Sequence, residues 1–289
     1  MARDAGRVDL LYVSDYATND VYAYSYPGGQ LRGVLSGVLR HFVLPVGLCT
    51  DDAGNVFIPD NADETVQEYP HGGTRPVKTL LDPGQLPYGC AVDPSTGNLA
   101  VVNYESRNGP GGVSIYARAR GRPKRYVYGF VYKYYFAAYD PEGNLYVDAS
   151  YDVAGDPFAF LELPKGSKSL EALTLDQSFE APGGVAWDGK YVVVGDSKRA
   201  VVYRFVFQGS AGKKAGDTRL QAARHVAQFL VDGTRLVAAE FGARRVGFWN
   251  YPAGGRPAGQ IAGLHFPFGV ALSRASNMIR RPAKLAVTR

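Results

Sequence analysis

Few side chains in this sequence could do chemistry near neutral pH. Its four histidines, His41, His71, His225 and His265, show no short metal-ligand spacing, and no H-E-x-x-H, C-x-x-C, G-x-S-x-G or Walker loop occurs. What remains is a set that only a fold could assemble: Glu180, Arg224, His225 and His265. Two histidines beside a carboxylate can pass protons or hold a transition metal. One reading is therefore a hydrolase or lyase with His225 or His265 as base and Glu180 orienting it. The plainer reading is a wet surface with one Glu–Arg pair. Position along a loop, which does not fix side-chain direction, gives no ground for preferring the first.

Aromatic side chains offer binding rather than catalysis. They are densest in YVYGFVYKYYFAAY, Tyr126 to Tyr139, with Tyr88 and Tyr104 as further candidates. Two or three exposed rings would make a stacking platform for a sugar, a peptide or a flat ligand, and buried ones would simply pack strands. A basic cluster, Arg118, Arg120, Arg122, Lys124 and Arg125, sits among tyrosines, and a second lies at Arg280, Arg281 and Lys284. A net charge of +5 over 289 residues is far from that of a dedicated nucleic-acid binder, so neither cluster is read as a nucleic-acid site.

These residues are positioned by a repeat. LPVGLCTD, LPYGCAVD and APGGVAWD recur upstream of LHFPFGVALS (Leu264 to Ser273), and each of the first three is followed by a tight turn and a second apolar run. Leu264 to Ser273 has no second run after it, and LLYVSDY, Leu10 to Tyr16, has no first run before it. Taking the residue that ends each first strand as a marker gives Asp51, Asp93, Asp140, Asp188, Asp232 and Ser273, spaced by 42, 47, 48, 44 and 41. A period in the forties with four short strands per unit is a propeller signature, and a unit split between the termini is what closure of a ring requires. The turns after the markers, DDAGN, DPSTGN, DPEGN, DGK and DGT, combine an Asp that accepts local backbone hydrogen bonds with a Gly that takes positive φ.

The chain is therefore expected to be all-β: a single six-bladed β-propeller over residues 10–276, four antiparallel strands per blade, closed by strand 264–273 completing the N-terminal blade. Residues 1–9 and the basic 277–289 read as tails. Thirty-five Gly, 18 Pro and 20 Tyr suit many short strands joined by tight turns. Cys49 and Cys90, within apolar strand runs, read as buried free thiols rather than a disulfide. No signal-peptide-like or membrane-spanning apolar run is present, so a soluble monomer without membrane contact is expected. A mature secreted or periplasmic chain would read the same way.

The P-x-G…D-x-x-G-N-[VL]-x-[VF]…[DN] pattern resembles NHL-type six-bladed propellers, and more loosely the gluconolactonase, regucalcin and paraoxonase superfamily. That superfamily implies calcium ligands near the inner-strand entrances, because calcium needs several converging oxygens. Here the residues five before each marker are Val46, Tyr88, Tyr135, Gly183, Ala227 and Phe268, so no metal site and no cofactor is expected, and a divalent cation has no support. Eight before stand Val43, Gln85, Tyr132, Glu180, Arg224 and His265, and seven before stand Leu44, Leu86, Lys133, Ala181, His225 and Phe266. A last column, at the second-strand ends, is Asp15, Asp60, Asn103, Ala149, Asp196 and Glu240; it would bind a cation or cap turns. The leading expectation is a non-catalytic binding or scaffold propeller. Its small-molecule, sugar or peptide site would be at the channel mouth, formed by Tyr88, Tyr104, Tyr132, Lys133, Tyr135, Arg224 and Phe268.

Overall fold

The computed structural model describes residues 1–36, 42–152 and 157–275. It is an all-β, propeller-like molecule whose helical content among these residues is two three-residue turns, Ala5–Arg7 and Ala117–Ala119. Strands β1 (Leu10–Asp15), β2 (Asp20–Ser25) and β3 (Leu31–Leu35) begin the first sheet. Strands β4 (Cys49–Thr50), β5 (Val56–Asp60), β6 (Thr65–Tyr69) and β7 (Lys78–Leu81) form the second. The third holds β8 (Gln85–Val92), β9 (Leu99–Ser106), β10 (Gly109–Tyr116) and β11 (Lys124–Tyr126). Next come β12 (Lys133–Tyr139), β13 (Leu145–Ser150), β14 (Phe158–Leu163) and β15 (Glu171–Leu175), then β16 (Pro182–Trp187), β17 (Val192–Asp196), β18 (Val201–Gln208) and β19 (Ala211–Arg219). These eight make one sheet, because the outer strands β15 and β19 pair in parallel through Thr174–Ala211 and Leu175–Gly212. The last sheet holds β20 (Val226–Asp232), β21 (Arg235–Glu240), β22 (Arg245–Asn250) and β23 (Gly254–Ile261).

The carboxy-terminal strand β24 (Pro267–Ser273) returns to the start of the chain. It runs antiparallel to β1 from Leu10–Ser273 to Asp15–Pro267, with one bulge. The first and last segments thus complete one four-stranded sheet, order β24-β1-β2-β3. Residues 1–9 are packed against this sheet: Ala5 is buried, and the Ala2 amide donates to the Arg32 carbonyl. The basic tail 277–289 and His41 lie outside the described residues.

Local chemistry explains the turns. Asp51 and Asp140 each accept the amide four residues on, Asn55 and Asn144, at 2.8 Å, and Asp93 accepts that of Ser95 at 2.8 Å. Gly54 and Gly143 take φ of 84° and 92°, a region costly for any residue with a Cβ. The buried apolar side chains form clusters between successive sheets rather than one mass. Leu48, Val56 and Ile58 pack with Leu10 and Tyr12, and the circle closes where Val237, Val246 and Phe248 pack on Leu11, Val13 and Val270.

Strands β4, β8, β12, β16, β20 and β24 line one central cavity of about 390 Å³. Cys49 on β4 and Cys90 on β8 are joined in a disulfide there, with Cα atoms 5.5 Å apart, inside the usual range. This corrects the expectation of free thiols. Apolar flanks made both look like small hydrophobes, and neighbouring inner strands then brought them within bonding reach.

Candidate functional site

The innermost strands approach so closely in one layer that they close the channel. A Cβ on Gly89 would lie 2.5 Å from the Tyr135 carbonyl, and one on Gly269 would clash with the Val46 carbonyl. Where no glycine stands, side chains fill the space. The Gln228 carboxamide ties β20 to two other inner strands, accepting from Leu48 N at 2.9 Å and Val270 N at 3.0 Å and donating to Leu48 O at 2.7 Å. Ser14 accepts from Gly269 N at 2.8 Å and donates to Val46 O at 2.6 Å. Asp148 stands one residue before its strand-end column position, as Ser14 does, and accepts from Phe136 N at 2.6 Å. It is fully buried, and its Oδ2 has no hydrogen-bond partner among the described residues. Burial pushes its carboxyl up to about 7, with the Phe136 amide opposing the shift.

Above this plug lies a cavity of about 250 Å³ lined by Tyr88, Tyr135, Phe136, Ala227, Phe241 and Phe268, among others. Four of the residues five before the markers, Tyr88, Tyr135, Ala227 and Phe268, are thus gathered at this mouth, with Val46 in the same cluster. Tyr88 is the hub: its ring centroid is 5.1 Å from Tyr104, 5.7 Å from Tyr135, 5.5 Å from Phe136 and 5.3 Å from Phe268. The array continues from Phe268 through Phe266 and Phe241, 5.0 Å apart, and Tyr16 sits 5.5 Å from Phe266. Eight aromatic rings thus form one connected array, of which Phe136 and Phe268 are buried. Burial pushes the Tyr88 phenol well above its usual range, and Tyr104, Tyr135 and Asp148 add to this, so it stays neutral. Lys133 lies 4.8 Å over the Tyr104 ring and 3.5 Å from Glu105. Burial depresses its ammonium, but Tyr104 and Glu105 more than offset that and raise it, so it remains a cation on the rim.

The acid–base set is not assembled. Glu180 pairs with Arg199 at 2.9 Å, not with Arg224. His225 stacks on Phe241 with centroids 5.3 Å apart, and His265 Nδ1 meets Arg244 at 3.2 Å. All three are exposed, and no hydrogen bond joins them. Arg224 is exposed on the rim. Tyr132 is half-buried, has no ring contact with the array, and is held through its backbone by Ser150 O and Gly111 N. Among the described residues no three His, Cys, Asp or Glu side chains are grouped to hold a metal ion.

The acidic column at the second-strand ends ties down the strand entrances. Asp15 Oδ2 accepts from His265 N at 2.7 Å, and Asp60 Oδ1 from Val43 N at 2.8 Å. Asp196 Oδ2 accepts from Glu180 N at 2.8 Å, and Glu240 Oε2 from Arg224 N at 3.1 Å. Each amide belongs to the residue eight before a marker, so the carboxylates fix the backbone that carries the rim. Reading the inner-strand columns missed Tyr16, Phe241 and Gln228. The first two lie in or beside the turns that follow second strands, and Gln228 stands where neighbouring repeats mostly carry glycine.

No protein-family model and no characterised protein's sequence matches the chain. Solved structures do. A chain of a nidogen/laminin complex aligns with a TM-score of 0.75 at 12% identity, over 93% of this chain and 99% of the other. A protein of unknown function from Bacteroides caccae aligns with a TM-score of 0.69 at 12% identity, over 92% and 99%. The likeness is one of fold: this chain is a β-propeller. No helix of the described residues is long and apolar enough to cross a membrane.

Proposed function

We propose that the chain is a six-bladed, NHL-like propeller, with β12–β15 and β16–β19 counted as two blades, that binds a partner at the aromatic channel mouth without catalysing a reaction on it. The count is supported by the six strands that line the central cavity and by the two-residue span of the parallel β15–β19 link. The observation that carries the binding reading is the connected aromatic array from Tyr104 through Tyr88 and Phe268 to Phe241. Half-buried rings already held by their neighbours lose little freedom when a ligand stacks on them. Lys133 and Arg199 supply polar contacts at the rim. One fold neighbour comes from a complex of two proteins, which suits a protein or peptide partner over a small substrate. The disulfide suits an oxidising compartment.

The test is a panel of extended peptides and oligosaccharides measured by calorimetry on wild type, Tyr104→Ala and Phe241→Ala, beside an ester and lactone turnover assay. Binding that weakens roughly tenfold in either variant, with no turnover, is expected. Turnover by wild type that disappears in His225→Ala or His265→Ala would overturn the reading in favour of a hydrolase.

A further inference from the structure

A cavity of about 830 Å³ lies away from the channel. It lies on the flank, between the outer strands β7 and β11 of neighbouring sheets, lined by residues 78–83, 120–123 and 125. Among the described residues β7 pairs only with β6 and β11 only with β10, so each turns one backbone edge toward the groove. The Leu81 carbonyl points into it, because it accepts from the Tyr116 hydroxyl at 2.9 Å across the seam. In an antiparallel strand residues two apart direct their backbone groups the same way, so Thr79 presents its N–H and C=O there as well.

Two of the equivalent seams are sealed by backbone. β19 pairs with β15, and Leu220 forms a parallel bridge to Gly255, with the Gln221 amide donating to the Gly255 carbonyl at 2.9 Å. The chain therefore closes two outer seams with added strand-like pairing and leaves this one open, bridged by side chains alone. Its charge is one-sided. Lys78 is taken by Glu68 and Arg125 by Asp82, which consumes the nearby carboxylates. Arg120 and Arg122 are exposed and have no carboxylate partner among the described residues. Leu81 on the groove, and Val77 and Val127 just beyond it, are 63%, 62% and 53% exposed, a high apolar exposure for one seam.

We propose that this groove binds an extended, acidic segment of a partner protein by strand addition along β7 or β11. Its backbone would pair with the open edge, its acidic side chains would face Arg120 and Arg122, and an apolar side chain would cover Leu81. This site is separate from the aromatic mouth.

The probe is a blocked peptide of alternating glutamate and valine, fluorescein-labelled and followed by anisotropy, with hydrogen exchange reading the site. Binding is expected with new protection at Thr79 and in β11. It should weaken roughly tenfold or more in Arg120→Glu/Arg122→Glu and with rising salt, and stay unchanged in Tyr104→Ala. Both arginines are exposed, so the double variant should keep its wild-type melting temperature. An N-methylated peptide, lacking the donors for strand pairing, should not bind. The proposal is overturned by no binding at millimolar peptide, by protection only at the channel mouth, by equal binding of the N-methylated or lysine–valine peptide, or by a single-stranded oligonucleotide binding as tightly as the acidic peptide.

Discussion

Reducing the Cys49–Cys90 disulfide has an effect that can be worked out beforehand from the length of chain it closes. The bond spans 41 residues, joins inner strands of two neighbouring sheets and lines the central cavity. In the chain-entropy account, a closed loop of that length restricts the unfolded ensemble by about 4 kcal/mol at 25 °C. Unfolding entropies scale with length, and a chain of this size should have about 0.6 kcal/mol/K, so the melting temperature should fall by about 7 °C. Cys49→Ala/Cys90→Ala gives the same comparison without reductant. The assay is thermal unfolding by circular dichroism with and without a phosphine reductant, paired with mass spectrometry of the alkylated native protein. Two alkylated thiols under non-reducing conditions, or a melting temperature that neither perturbation moves, would refute the reasoning.

Other expectations rest on named groups. The Asp148 carboxyl is raised from 3.8 to about 7, so it favours the fold fully below pH 3.8, and that contribution is lost as pH rises to 7. The swing is about 4 kcal/mol. In Asp148→Asn, an isostere of the protonated acid, the stability difference from wild type should therefore change by about that much between pH 4 and pH 7 in urea titrations; a constant difference would show that Asp148 does not titrate in this window. Gln228→Ala strands the Leu48 amide and carbonyl and the Val270 amide and should cost about 3 kcal/mol with an unchanged m-value. Asp15→Ala frees the His265 and Phe266 amides at the closing strand and should cost about 2 kcal/mol, while hydrogen exchange in β24 rises more than in β13.

What the sequence disclosed was mostly local. The marker turns were legible because Asp and Gly act within four residues of one another, as the Asp51–Asn55 and Asp140–Asn144 bonds show. Closure by Leu264–Ser273 was legible because a split repeat has one simple explanation, and β24 does lie beside β1. The columns placed Tyr88, Tyr135 and Phe268 together because inner strands converge on an axis. They could not place side chains belonging to later elements. Arg199, in the turn after β17, takes Glu180 from Arg224, and Phe241, after β21, takes the face of His225. The parallel β15–β19 pairing was hidden for a different reason. It depends on the long β18–β19 hairpin reaching across a seam, and no periodicity within one repeat records that.

The central claim, that the aromatic mouth is a binding surface, is tested most directly by fluorine NMR of fluorotyrosine-labelled protein titrated with a ligand found in the peptide and oligosaccharide panel. The resonances of Tyr16, Tyr88, Tyr104 and Tyr135 should shift together while those of the core residues Tyr12, Tyr69 and Tyr116 stay fixed. A saturating ligand that leaves the four mouth tyrosines unmoved would contradict it.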